Sequence, residues 1–260
     1  MNGFELHRAA FTNKRNPDIH LSASTLNLWI AAPDVFVAEK LLGHRSAFGP
    51  APARGIAIED GCVDVLYRGK SLDEAIANAE KAFDRKVILS SPNTERERAM
   101  IAPCVTLAVG ELAKFGKPEF GEDGGQMGGT LDCRCDGFTI PFVYYLDFLY
   151  PESGLIVDLK TTSRMPAVMS LSHQIQRALY QRARGNQQVK FLYVTPKKAE
   201  WREDGDVSEL LAIVKSQTER LERFLRISPN AEDLAAIVPH NPDSFFWRGS
   251  EDTRRVVFKS

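Results

Sequence analysis

Hydrophobic positions recur at helical spacing through roughly the first half of the chain and at strand spacing after it. Residues 1–20 are polar and aperiodic, which reads as an irregular arm. From Ser22, a suitable N-cap, Leu26, Trp29, Ile30, Val37 and Leu41 trace one helix that Pro33 should end or kink. Gly49-Pro-Ala-Pro52 reads as a rigid loop, Arg54 to Tyr67 as a second helix, Ser71-Leu-Asp-Glu74 as the capping box of a third, and Thr94 to Phe115 as another. Gly121 to Gly129 then serves as loop and strand entry. Thr130 to Cys135 and Thr139 to Leu149 read as two strands joined at Asp136-Gly137, a hairpin signal. After a turn at Pro151–Gly154, Leu155 to Lys160 makes a third strand, Leu171 to Arg184 a helix, and Val189 to Val194 a fourth, central strand. Val207 to Arg226 and Asn230 to Val238 read as helices.

That order predicts an α/β fold with an αβββαβ core, a mixed four-stranded sheet flanked by helices. A single domain spans 1–260, with the core at about 54–200, an arm and helix in 1–53, and a helical extension in 203–260. At 260 residues and 43% hydrophobic, the chain can bury one substantial core without dividing. No internal repeat or low-complexity tract interrupts it.

Charge changes this picture only locally. The net charge is -1, so nothing global advertises a nucleic-acid partner. From Lys160 to Arg202, however, nine Lys/Arg stand against the single acid Glu200, and from Glu203 to Asp243 nine acids stand against four bases. The basic block reads either as a phosphate-tracking surface or as a solvated helix face and basic turn. Cys62, Cys104, Cys133 and Cys135 lack metal-ligand spacing and read as reduced, mostly buried thiols. No apolar run approaches the roughly 18 residues of a membrane span, and the N-terminus lacks a signal-peptide core, so a cytoplasmic protein without membrane contact is expected.

Chemistry concentrates at Gly154-Leu-Ile-Val-Asp158-Leu-Lys160-Thr-Thr162. Residues i and i+2 of a strand leave the same face, so Asp158 and Lys160 point together, a cation-holding carboxylate beside an ammonium that can hold a water. Asp147 closes the preceding strand, near enough across a short turn to neighbour Asp158. Two such carboxylates repel unless a cation neutralises them, and hard oxygen donors suit Mg²⁺ or Mn²⁺. Glu59 offers a third acid or a plain surface glutamate. On the helix after the third strand, His173, Gln176 and Tyr180 share a face, and with Arg177 they could contact phosphate; Tyr180 alone would read as a core tyrosine. The glycines before Thr130 lack the spacing of a phosphate loop and read as a flexible turn.

Taken in order, Gly-x-x-x-Glu59, Tyr145-Leu-Asp147, Asp158-x-Lys160-Thr161-Thr162 and Gln176-x-x-x-Tyr180 resemble the motifs of PD-(D/E)XK nucleases. The similarity is to the RecB-type branch that includes CRISPR-associated and phage exonucleases, over roughly Ser22 to Pro196. The resemblance implies a restriction-endonuclease-like core and metal-dependent DNA hydrolysis. Glu59, Asp147, Asp158 and the Leu159 carbonyl would hold Mg²⁺ or Mn²⁺, and Lys160 would position the attacking water. Gln176, Tyr180, His173, Arg177, Thr161, Thr162 and Arg164 would support the site or DNA. It implies DNA as partner, admits a single-strand annealing or DNA-binding protein as another, and points to recombination or repair, with a phage setting open. An exonuclease is the first expectation; a structure-specific or restriction-type endonuclease and a non-catalytic binding module on the same fold are the alternatives. Many relatives carry an iron–sulfur cluster, but Ala31-Ala-Pro33 stands at the first expected ligand position and no cysteine follows Cys135, so no cluster is expected. Asp132 competes with Asp147 for the strand-acid position; Asp147 is preferred because its strand leads directly into Asp158.

Overall fold

The computed structural model describes residues 2–44, 49–87, 92–131, 138, 140–185, 187–247 and 250–259. The predicted hairpin turn at Asp136-Gly137, with Asp132, Cys133 and Cys135, lies outside them. The described residues form a mixed α/β structure in which two sheets are flanked by helices.

The N-terminal residues are not an irregular arm. Helix α1 (Gly3–Leu6) and a 3-10 turn (Arg8–Phe11) bury Phe4 and Phe11, and strand β1 (Leu21–Ser22) follows. Ser22 caps α2 (Ala23–Ala31) by accepting the Thr25 N–H, as its position predicted. Pro33 ends α2 and opens α3 (Pro33–Phe36), whose first turn needs no donor at that position. The expected loop at Gly49–Pro52 is instead the start of α4 (Pro50–Leu66), for the same reason. The Ser71 and Glu74 capping box is present on α5 (Leu72–Lys86). The helix expected over Thr94–Phe115 is divided into α6 (Thr94–Ala99) and α7 (Ile101–Leu112). Pro103 cannot donate back to the preceding turn, so the chain restarts at Ile101.

Strand β2 (Met127–Leu131) begins inside the glycine-rich segment read as a flexible turn, and pairs antiparallel with β3 (Phe142–Leu146), beside which β1 lies parallel. Tyrosines pack over the bare strand there: a Cβ at Gly129 would meet the Tyr144 hydroxyl at 2.4 Å, and one at Gly128 the Tyr145 ring at 2.9 Å, so either would displace a side chain. The long strand predicted over Thr139–Leu149 is two strands, β3 and β4 (Phe148–Tyr150), with Asp147 at the change. Strand β4 belongs to the second sheet, with β5 (Leu155–Thr161), β6 (Gln188–Val194) and β7 (Ala199–Arg202) in the order β4-β5-β6-β7. Pairing is antiparallel, parallel, antiparallel, so this sheet is mixed and four-stranded as expected. Its fourth member is the unexpected β7, while Thr130 and Leu131, the described part of the first predicted strand, belong to β2 in the other sheet.

Helix α8 (Leu171–Ala183) joins β5 to β6 and covers one face of the second sheet; α4 and α7 cover the other, with α5 packed on them. Leu155, Val157, Leu159 and Leu192 pack toward α4 and α7, while Ile156 and Phe191 pack on the α8 side. A further core gathers Phe4, Phe11, Leu26, Phe142, Ile175 and Leu179 around α9 (Val207–Leu225), to which α10 (Ala231–Ile237) adds Leu234 and against which Phe258 of α11 (Glu251–Phe258) packs. Among the described residues no helix is long and apolar enough to cross a membrane. Cys62 and Cys104 are buried free thiols, as expected.

Candidate active site

Two strand registers bring the acids together. Phe148 stands opposite Val157 in the β4–β5 ladder, so one step further sets Asp147 across from Asp158. Met127 stands opposite Leu146 in the β2–β3 ladder, so one step beyond it sets Gln126 across from Asp147 on its other side. Asp147 therefore occupies the junction of both sheets. Its Oδ2 accepts the Leu159 N–H at 2.9 Å, taking the place of a ladder bond, and its Oδ1 accepts from Gln126 Nε2 at 2.6 Å.

Alternation along β5 turns Asp158 and Lys160 to the α8 side together, where they form an ion pair. Asp158 is 1% exposed and Asp147 7%, so neither carboxylate is hydrated by bulk solvent. Gln176 on α8 donates from Nε2 to Asp158 Oδ2 at 2.8 Å and to the Tyr180 hydroxyl at 2.9 Å. Glu59 on α4 completes the group: its Oε1 accepts from the same Gln126 Nε2 at 2.9 Å. The two protons of one amide nitrogen thus satisfy Glu59 and Asp147, and those of another satisfy Asp158 and Tyr180.

Burial dominates the electrostatics. It pushes Glu59 up to about 7, the Gln126 bond and Lys160 opposing and the Asp158 charge reinforcing the rise. Burial also holds Asp147 well above the ordinary carboxylate range, helped by the Asp158 and Glu59 charges, and raises Asp158 against the pull of Lys160. For Lys160 burial works downward, yet the Asp158, Asp147 and Glu59 charges outweigh it and keep the group above its usual value. Lys160 is therefore a firm ammonium, suited to donating hydrogen bonds and compensating charge and unsuited to taking a proton. Its Nζ also lies 5.2 Å from the Phe191 ring centroid.

The remaining expected residues divide. His173 is on the site face of α8, hydrogen-bonded through Nδ1 to the Tyr193 hydroxyl and stacked on Phe191. Thr161 and Thr162 extend β5: the Thr161 carbonyl accepts from buried Arg54, and the Thr162 N–H donates to the Val194 carbonyl. Arg164 is exposed in the segment leading to α8. Leu159 contributes its N–H to Asp147. Arg177 is a correction. It is buried, donates to the Gly205 carbonyl and to Gln181, and so anchors the start of α9 instead of facing a phosphate. Part of the basic block is neutralised locally, because Lys198 and Arg202 each pair with Glu200, two residues away at β7.

Gln126 went unnoticed in the sequence. Its role follows from a register between distant strands, and no local motif carries it. Two clefts approach the buried group. One, of about 410 Å³, is lined by Arg15, Asn16, Gly128, Tyr145 and Gln126. The other, of about 550 Å³, is lined by Asn27, Tyr144, His173, Gln176 and Tyr180. Neither lining includes the three acids or Lys160; each reaches an amide in contact with them.

No protein-family model matches the chain, and no curated protein matches it. Among solved structures, the crystal structure of SSO0001 is similar at a TM-score of 0.35 and 11% identity, over 63% of this chain and 74% of that one, a likeness too loose to carry an argument.

Proposed function

We propose that the protein is a Mg²⁺- or Mn²⁺-dependent deoxyribonuclease on a restriction-endonuclease-like core, an exonuclease acting in recombination or repair. One observation carries the reading: buried Asp147 and Asp158 and half-buried Glu59 are brought together at the meeting point of two sheets, with Lys160 paired to Asp158. Three carboxylates raised by burial, Glu59 and Asp147 also by neighbouring carboxylate charge, call for a compensating cation, and one ammonium supplies only part of it. In chain order α4 is followed by α5, α6 and α7, then by β2, β3, β4, β5, α8 and β6, so helices precede a run of strands that a helix joins to a further strand, which is consistent with the core assignment.

The donor set fits a hard divalent ion in kind, being all carboxylate oxygen. As they stand, however, no three His, Cys, Asp or Glu side chains among the described residues are gathered so as to hold one. The Gln126 amide lies between Glu59 and Asp147, and Lys160 holds Asp158. Glu59, Asp147 and Asp158, with the Leu159 carbonyl, are the groups that would bind the ion. Bound there, Mg²⁺ or Mn²⁺ supplies a water of lowered pKa and neutralises charge on the phosphate. Lys160, kept charged by its neighbours, would orient the attacking water and donate to a phosphate oxygen. Gln176 fixes the Asp158 carboxylate, and the Leu159 N–H fixes that of Asp147, so both are preorganised. Tyr180 backs Gln176, and Arg164, exposed after β5, is available to the DNA backbone.

Digestion of end-labelled linear and closed circular DNA with Mg²⁺, Mn²⁺ or EDTA tests the reading. Metal-dependent release from ends is expected, lowered roughly 100- to 10,000-fold in Asp158→Ala and Lys160→Ala. Nicking of closed circles would make it an endonuclease. Absence of metal-dependent cleavage, or undiminished cleavage by both variants, would sink it.

A further inference from the structure

We propose that Gln126 is a placeholder at the metal position: its amide nitrogen bridges Glu59 and Asp147 where a cation would stand, and must be displaced for the ion to bind. The inference rests on the metal-site reading above and adds a positioning residue to it. Its basis is geometric. Both Nε2 protons are committed, at 2.9 Å to Glu59 Oε1 and 2.6 Å to Asp147 Oδ1, so a single donor bridges two acids from separate elements. The register that opposes Met127 to Leu146 delivers Gln126 to that spot, and the strand it opens also lines the cleft of about 410 Å³ beside the site. Withdrawal has room, because the side chain lines that cleft and is not enclosed by core residues.

Two consequences oppose each other. Without the amide, half-buried Glu59 and buried Asp147 each lose a donor, Asp147 keeping the Leu159 N–H, and the protein without metal is less stable. A cation then has fewer bonds to break and binds more tightly. The probe is Mn²⁺ alone, titrated by calorimetry at pH 8 into wild type, Gln126→Ala and Gln126→Met, the last keeping side-chain length without a donor. Both variants should bind Mn²⁺ about tenfold more tightly, the factor expected for loss of a charge-assisted hydrogen bond. Both should melt at lower temperature without metal and regain that loss at saturating Mn²⁺. Unchanged or weaker Mn²⁺ affinity in both variants, an unaltered metal-free melting temperature, or no Mn²⁺ binding by any of the three proteins would overturn it. Tighter Mn²⁺ binding in a protein that cuts no DNA would leave this inference standing and remove the nuclease reading. Metal-dependent cleavage without the affinity gain would do the reverse.

Discussion

His173 shows how one side chain on the site face titrates against its neighbours. Burial, and then the Lys160 charge, lowers it from 6.5 to about 4, and its Nδ1 is engaged by the Tyr193 hydroxyl, itself pushed up to about 12 by burial. The folded protein holds this proton less tightly than the unfolded chain does. Its contribution is therefore complete above about pH 6.5 and is lost as pH falls toward about 4. The raised carboxylates Glu59, Asp147 and Asp158 act in the opposite sense, gaining stability on acidification, so only a difference between proteins isolates the histidine. Between pH 7.5 and pH 5, wild type should lose about 2 kcal/mol more unfolding free energy in urea than His173→Gln does. Parallel pH profiles would show that the imidazole titrates normally and that its burial is not what the packing suggests. Gln176 and Tyr180 carry no such charge, and their effect on Asp158 is one of orientation.

Elements set by local chemistry were legible in the sequence: the Ser22 and Ser71 caps, β5 with its alternating Asp158 and Lys160, and the His173-Gln176-Tyr180 face of α8. Those set by distant pairing were not. The division of one long strand at Asp147 depends on two ladders, and β7 exists because Ala199–Arg202 finds Phe191–Val194 beside it. The C-terminal elements behave likewise. Phe245 and Phe246 are exposed, while Trp247 is buried and donates from Nε1 to Asp34 on α3. The same carboxylate oxygen meets His240 Nδ1 at 2.9 Å and accepts the Asn241 N–H at 3.0 Å, and His240 stacks on Phe258 of α11. Burial would raise Asp34, but these bonds together pull it below its ordinary value. Asp34→Ala leaves several of these donors without their acceptor and should cost about 3 kcal/mol. Hydrogen exchange should then quicken over 240–258 while β5 and α8 keep their protection. Uniform quickening, or none, would mean the Asp34 contacts do not anchor this segment.

Across the whole molecule the site lies where differently built layers meet, and the N-terminal residues tie one to it. Phe4 and Phe11 are 1% and 2% exposed and pack edge to face at 5.0 Å, inside the core that α2, α8 and α9 share. Gly3 lets α1 lie directly on α9: a Cβ there would stand 2.4 Å from the Glu222 carbonyl oxygen, which is backbone and cannot step aside. Beyond this anchor the chain continues to Arg15, whose guanidinium is 4.8 Å from the Tyr145 ring centroid, and to Asn16, which donates to the Tyr145 hydroxyl at 2.6 Å. Tyr145 is two residues before Asp147 on β3, and β1 pairs along the same strand. The segment that read as an irregular arm therefore braces the strand that delivers a site carboxylate, and its loss should be felt both in stability and at the site. Phe11→Ala should cost about 3–5 kcal/mol by the cavity it opens. Asn16→Ala removes one half-buried bond and should cost about 1 kcal/mol or less, while loosening Tyr145 over the cleft that leads to Gln126. Urea unfolding measures the first difference, and accessibility of Tyr145 to chemical iodination measures the second. If Phe11→Ala unfolds at the wild-type urea concentration, the arm is not part of the core; if Asn16→Ala leaves Tyr145 equally protected, the arm does not brace β3.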